Sequence, residues 1–356
     1  MRQEAWAQRD ITYGGDARAF AMGGAGIALL NDSMNTGGTR TNPATLAYET
    51  QPIGVNFPSF ALRGRGPISL GSASGYLLRG TSLSNAASLA RDFASDDSDF
   101  AINANTSLRV GHIEISGFAV ARGRIQPNAS LRSWVDAGRP AQNFPLDARS
   151  DIFAAGYYTL PTIASALVLP NPQKRPYNYA VGGRLKYMTG VYTHYIANAQ
   201  TFLTGDDALP AGEMGGKKTL LKRGIGADLG LLARRRDGHG ITGGLVIANA
   251  VRPSFTFDGT DRNGNNKRYD ILQTTLSVGA GYSEHGTTFA ADLVDITSAV
   301  DKGQLRLGAE QRFGGKIALR GGYNTANGFT YGIGFFGFDV AFGRRQSLEV
   351  VRTLNF

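Results

Sequence analysis

The chain has 356 residues, of which 42% are hydrophobic, 18% charged and 48 glycine, with a formal net charge of +9. It has no cysteine and only four histidines, so disulfides, thiol nucleophiles and Cys-based metal sites are excluded. No apolar run reaches the ~18 residues a membrane helix needs, and the longest basic tract is Arg234–Arg236, too short to expect nucleic acid as a partner.

At the N-terminus, Ala5-Trp6-Ala7 has the A-x-A form of a signal-peptidase site. Residues 1–7 therefore read as the remnant of a signal peptide. The next stretch, ARAFAMGGAGIALLNDSMNTGGTRTNPATLA from Ala17 to Ala47, is too small-residue-rich for a membrane strand and too glycine-broken for a long helix. A compact segment packed inside something else fits it better. Asn42-Pro43 starts a turn, and Ala44–Tyr48 fits one short helical turn. Ile53–Leu62 and Leu70–Leu78 read as strands, with Pro58 at a strand start or a bulge because it has no N–H to give a ladder. Thr81–Ala94 keeps Leu83, Ala86, Ala87, Leu89, Ala90 and Phe93 on one helical face.

From Asp99 onward, period-two alternation persists. Phe100, Ile102, Ala104 and Thr106 lead to a turn at Val110-Gly111, and Ile113, Ile115, Gly117 and Ala119 lead back, as in a hairpin. Arg124–Asp147 reads as a long loop. Asp151–Leu169 supplies strands around a Leu160-Pro161 break, followed by Tyr177–Lys186 and Val191–Phe202. A polar loop, Thr204–Lys218, precedes strands at Gly224–Ala233, Ile241–Ala250 and Ile271–Tyr282, with a further loop at Phe257–Asp270. Gln304–Phe313 and Lys316–Tyr323 alternate most cleanly. In the last ten residues, Leu348, Val350, Leu354 and Phe356 share one parity against Glu349, Thr353 and Asn355, with Arg352 the exception. A terminal strand of this kind suits the closing strand of a barrel in lipid, which must pair with the first strand.

The polar parity of these strands carries Arg184, Lys186, Asp228, Arg306, Glu310, Arg312 and Arg320. An Arg or Lys facing hydrocarbon at the midplane costs about 2–4 kcal/mol, so these residues are predicted to face the lumen. Alternation alone fits a soluble β-sandwich with its polar face outside equally well. The terminal Phe356 and a family resemblance at the N-terminus decide for an all-β fold, a transmembrane antiparallel β-barrel of about fourteen strands over residues 51–356. Short turns would lie at one end and long loops at the other.

The motif ARAFAMGGAGIAL followed by NPATLA resembles the N-terminal signature of the FadL-like outer-membrane barrel superfamily. That resemblance implies a hatch, residues 8–50, folded into the lumen, with Gly23, Gly24, Asn42, Pro43 and Ala44 as its key positions. It also implies uptake of small hydrophobic molecules across a bacterial outer membrane. The last third of the chain, DLVDIT, QLRLGAEQRF and KIALRGGYN, is similar to PorV-type barrels. This likeness implies an alternative, a non-enzymatic barrel that binds a periplasmic or secreted protein or a larger envelope complex through its long loops.

No catalytic constellation emerges. Gly332-Ile-Gly334-Phe-Phe-Gly337 fits a dinucleotide pattern, but the extended run FDVAFGR follows it where a helix is required. GSASG at Gly71–Gly75 has Ala73 where a nucleophile would stand. Asp261-x-Asn263-x-Asn265 begins like a calcium loop, yet its sixth position is Asn266 and its twelfth Leu272. His194 among Tyr192 and Tyr195 fits a pocket lining, but the aromatic belt at a membrane interface suits such tyrosines better. The expectation is no enzyme, no cofactor and no metal. The expected partners are membrane lipid, a small hydrophobic ligand or a protein.

Overall fold

The computed structural model describes residues 17–30, 41–65, 98–138, 145–173, 175–198, 220–237, 240–260, 266–299, 303–314, 317–326, 328–336, 338–343 and 347–355. The expected signal-peptide remnant 1–7, the strand Leu70–Leu78, the helix Thr81–Ala94, the loop Thr204–Lys218, residues 261–265 of the calcium-like loop and Phe356 lie outside them. Strands β1 (Ile53–Arg65), β2 (Ser98–Val110), β3 (Ile113–Pro127) and β4 (Arg149–Val168) are followed by β5 (Tyr177–Asn198), β6 (Leu220–Arg235) and β7 (Gly240–Val251). After a short hairpin, β8 (Thr256–Thr260) and β9 (Asn266–Asp270), come β10 (Thr275–Glu284), β11 (Thr287–Val294) and β12 (Gln304–Phe313). The last four are β13 (Ile317–Asn324), β14 (Gly328–Phe335), β15 (Phe338–Gly343) and β16 (Ser347–Asn355).

Among the described residues, all but β8 and β9 join one closed barrel of 14 strands, each paired with its neighbours, while β8 and β9 form a separate two-stranded sheet. Closure comes from β16, which pairs antiparallel with β1, placing Gly54 opposite Asn355 and Phe60 opposite Val350. A closed sheet leaves no unpaired edge, the condition for strands to lie in hydrocarbon. Pro58 falls in the register shift between Asn56 and Phe60, where its missing N–H costs no ladder bond.

The two faces follow from the alternation. Leu108, Ile115, Ile163, Leu185, Leu229 and Leu307 are exposed on the outside, whereas Asn103, Asn105, Arg184, Asp228, Arg306 and Glu310 are buried on the inside. This is the reverse of a soluble domain, and it suits a barrel whose solvent on the outside is lipid. The clean turns, such as 111–112 between β2 and β3 and 285–286 between β10 and β11, lie at one end; the longer connections lie at the other.

Three expectations need correction. Tyr177–Lys186 and Val191–Phe202 are one strand, β5, because Met188 and Gly190 carry the inward parity straight through. Leu160-Pro161 does not break β4; a register shift between Thr159 and Thr162 absorbs it. The stretches read as plain loops have structure of their own. β3 runs on to Pro127, and Arg124–Asp147 then holds helix α2 (Ala129–Asp136), capped by Asn128 and anchored by buried Leu131 and Trp134. Phe257–Asp270 holds the β8–β9 hairpin, and Ile271–Gln273 belong to its connection while β10 starts only at Thr275.

The described parts of the N-terminal segment lie against inward-facing residues of opposite walls. Helix α1 (Ala17–Ala21) and the turn after it rest on β11–β15, and the 3-10 helix Pro43–Tyr48 rests on β4–β6.

Candidate functional site

The first half of the N-terminal segment makes a tight turn with Gly23 at φ +74° and Gly24 at φ +85°, a region that suits glycine. Side chains from four adjacent strands satisfy its backbone. The Gly23 N–H donates to Thr330 Oγ1 at 2.9 Å and its carbonyl accepts from Asn324 at 3.0 Å. Arg306 donates to the Gly24 carbonyl at 3.3 Å, and Asp292 accepts from the N–H groups of Gly26 and Ile27 at 2.6 and 3.0 Å. Gly322 in β13 lets this turn approach: a Cβ there would stand 2.8 Å from the Gly23 Cα.

One turn earlier, Arg18 grips Glu310 through two bonds of 2.9 and 3.0 Å. Glu310 also accepts from Arg320 at 2.6 Å and meets Arg312 at 2.7 Å, and Arg320 bonds Asp339 in turn. One carboxylate thus faces three guanidiniums in a buried cluster, the charge-assisted geometry that fixes position most strongly.

The second half rests on Asn42. Its side-chain oxygen caps the Ala44 N–H, and its amide donates to the carbonyls of Ile27 and Leu231, all at 3.0 Å. Pro43 at the first helical position loses nothing by lacking an N–H. The helix lies directly on β5, because a Cβ at Gly182 would come within 2.6 Å of the Pro43 carbonyl oxygen. Below it, Tyr48 donates to the Asn178 carbonyl, Arg234 stands 5.4 Å over the Tyr48 ring, and Glu49 pairs with Arg109 at 3.4 Å.

Along β5 the inward residues stack in layers, each two-residue step rising roughly 6.6 Å. Gly182 and Ala180 underlie the 3-10 helix. Above them, Lys186 (2.6 Å) and Arg184 (3.3 Å) both pair with the buried Asp228, which also accepts from the Asn249 N–H at 2.7 Å. A cavity of about 30 Å³ opens beside this pair, lined by Glu114, Phe118, Tyr157, Thr159, Arg184 and Lys186 among others. It has room for about two waters. The wall next to it is irregular on both strands: β3 shifts register between Ser116 and Phe118, opposite the shift in β4. Higher still lies a packed apolar cluster. Val120, Ala155, Tyr157, Met188 and Tyr192 from the wall pack with Phe255, Phe257, Ile271 and Leu272 from the β8–β9 connection.

The expected hatch residues Gly23, Gly24, Asn42, Pro43 and Ala44 thus all lie at contacts with the inner wall. Arg184, Lys186 and Asp228 meet in one cluster; Glu310, Arg312 and Arg320 meet in another; Arg306 stands beside Gly24. The backbone of Leu348, Val350 and Leu354 makes the closing ladder with β1. Tyr192 is not in an outer belt: it points inward at 3% exposure, since it shares the parity of Met188 and Gly190. Sequence reading missed Arg18, Asp292, Asn324, Thr330 and Asp339. Asp292 and Asp339 did carry a signal, an acidic residue at an otherwise alternating strand position, but their partners are backbone groups and arginines far off in sequence.

No family model matches the chain, and no curated protein does. Among solved structures, the fold is similar to a TodX variant described as a monoaromatic hydrocarbon channel, with TM-score 0.52, 11% identity, and coverage of 96% of this chain and 98% of that one. It is likewise similar to CymD, also described as a monoaromatic hydrocarbon channel, with TM-score 0.51, 13% identity, and coverage of 97% and 98%. At these identities the likeness speaks to architecture alone: the chain shares, over nearly its whole length, the barrel fold of these two proteins.

Proposed function

We propose that this protein is a non-enzymatic channel of a bacterial outer membrane that admits small hydrophobic molecules, with the N-terminal segment as a movable hatch. The observation that carries this reading is the layered lumen: an apolar lining packed under the long-loop end, a charged layer with a small cavity beneath it, and the 3-10 segment below that. An apolar surface inside the lumen is what a hydrophobic solute needs on its way in. The fold likeness to two proteins described as hydrocarbon channels supports the same reading. A solute leaving this surface has two routes, downward past Pro43–Tyr48 or sideways through the paired irregularities of β3 and β4. The loop Phe257–Asp270 suits a docking surface for a protein partner less well, because Phe257, Ile271 and Leu272 turn into the lumen.

The test is uptake of radiolabelled toluene and oleate by whole Gram-negative cells lacking their own barrels of this fold. Expression of the chain should raise uptake of at least one probe several-fold over the empty vector. Uptake at vector level, with the folded barrel shown in the outer membrane by its gel shift on boiling, would refute the channel.

A further inference from the structure

The apolar inner wall at the long-loop end is covered. Phe255, Phe257, Ile271 and Leu272, all at most 1% exposed, pack on it from the β8–β9 connection. Phe257 stacks on Tyr192 with ring centroids 5.6 Å apart and planes at 14°. Two wall glycines make room. A Cβ at Gly190 would stand 2.7 Å from the Phe255 ring, and Gly224 lies directly against Pro253. The inner wall is therefore shaped to this segment side chain by side chain.

Yet the segment shares no strand ladder with the barrel. Strands β8 and β9 pair only with each other, and β7 pairs directly with β10 beneath them. At the base of the hairpin, Arg252 bonds Asp270 at 2.8 Å with the Arg252 side chain 35% exposed, and exposed Lys222 donates to the Thr256 carbonyl. The hairpin can lift without breaking any strand ladder of the barrel; among the described residues, the Lys222 bond and the ties of Asn249 to Gln273 and Thr274 apart, what holds it is mainly apolar burial. Another apolar molecule can return that burial when it takes the same place.

We infer that the β8–β9 connection is a resident occupant of the ligand site: an uncharged apolar compound enters by exchanging with Phe255, Phe257, Ile271 and Leu272, and settles against Tyr192, Met188, Tyr157 and Val120. The inference rests on the channel reading for its ligand, and it places the first gate at the long-loop end, independent of the N-terminal segment.

The absence of native cysteine makes the test clean. Lys222 already reaches from β6 to Thr256, so Lys222→Cys with Thr256→Cys, bridged by a short bis-methanethiosulfonate, pins the hairpin to β6 and leaves all four apolar occupants in place. Toluene and oleate uptake should be lost when this pair is bridged and return with dithiothreitol; uptake indifferent to the bridge would overturn the inference. A second measurement does not need transport. Met188→Cys lies under the hairpin, so N-ethylmaleimide should label it in the folded barrel, at least about tenfold faster when Phe257→Ala weakens the seal. A cysteine there that stays unlabelled in both backgrounds would also overturn the inference. Labelling as expected, with no uptake by any variant, would retain the exchangeable hairpin and remove the channel.

Discussion

Glu310 and Arg18 show how single side chains divide their work between the barrel and the segment inside it. The cluster around Glu310 holds Arg18, Arg312, Arg320 and Asp339, so two acids face three bases. Removing the carboxylate leaves buried guanidiniums uncompensated, which costs about 3–5 kcal/mol where one partner of a buried pair is lost. Removing Arg18 instead brings the cluster to neutrality and cuts the tie to the N-terminal segment together with a bond to the Leu30 carbonyl within that segment. Glu310→Gln should therefore lower the temperature at which the folded gel band is lost by several degrees, while Arg18→Met should leave that temperature nearly unchanged. Equal losses would show that the cluster holds the segment and the wall as one unit. Residues of this kind were half legible. Arg306, Glu310, Arg312 and Arg320 stood out because a charge on a lipid face is so costly that the polar parity had to face inward. Arg18 did not stand out, since its partner lies 292 residues away and its neighbours are small residues with no period.

At the scale of the elements, β12, β13 and β16 were legible nearly to the residue, whereas β10 was placed four residues early and β11, β14 and β15 were given no bounds. Gln304–Phe313 has the same bounds in sequence and structure, because alternation and short turns there leave only one register that keeps charge out of lipid. The middle of the chain was less legible for a physical reason. β5 is 22 residues long and β4 is 20, well beyond the roughly ten that span a bilayer. Their upper parts face the β8–β9 hairpin inside, so apolar residues occupy both parities and the pattern looks interrupted. Helix α2 was hidden because the glycines, prolines and asparagines around it have the composition of a loop, although Asn128 and the spacing of Leu131 and Trp134 mark it. The closing strand has its own test. β16 supplies one partner of β1, so removal of residues 347–356 leaves two edges in hydrocarbon, each unpaired backbone group costing several kcal/mol. That truncated chain should yield no heat-modifiable band at all. A normal band would mean that another strand can close the ladder.

The whole molecule is a closed wall around layered contents: a hairpin at the long-loop end, a buried charge layer, and an N-terminal segment that touches both sides of the lumen. None of this layering could be read from alternation, which tells inside from outside but not what fills the inside. The motif around Asn42-Pro43 came nearest, since a stretch unfit for both strand and long helix had to be packed within something. The most direct measurement is conductance in planar lipid bilayers with the upper gate opened by Phe255→Ala and Phe257→Ala, comparing the full chain with a variant lacking residues 17–48. The full chain should be nearly silent, and the shortened barrel should show stable, stepwise currents from a lumen cleared of its lower layer. Equal conductance in the two, with both barrels folded by gel shift, would mean that the N-terminal segment does not close the lumen, and the hatch would have to be abandoned.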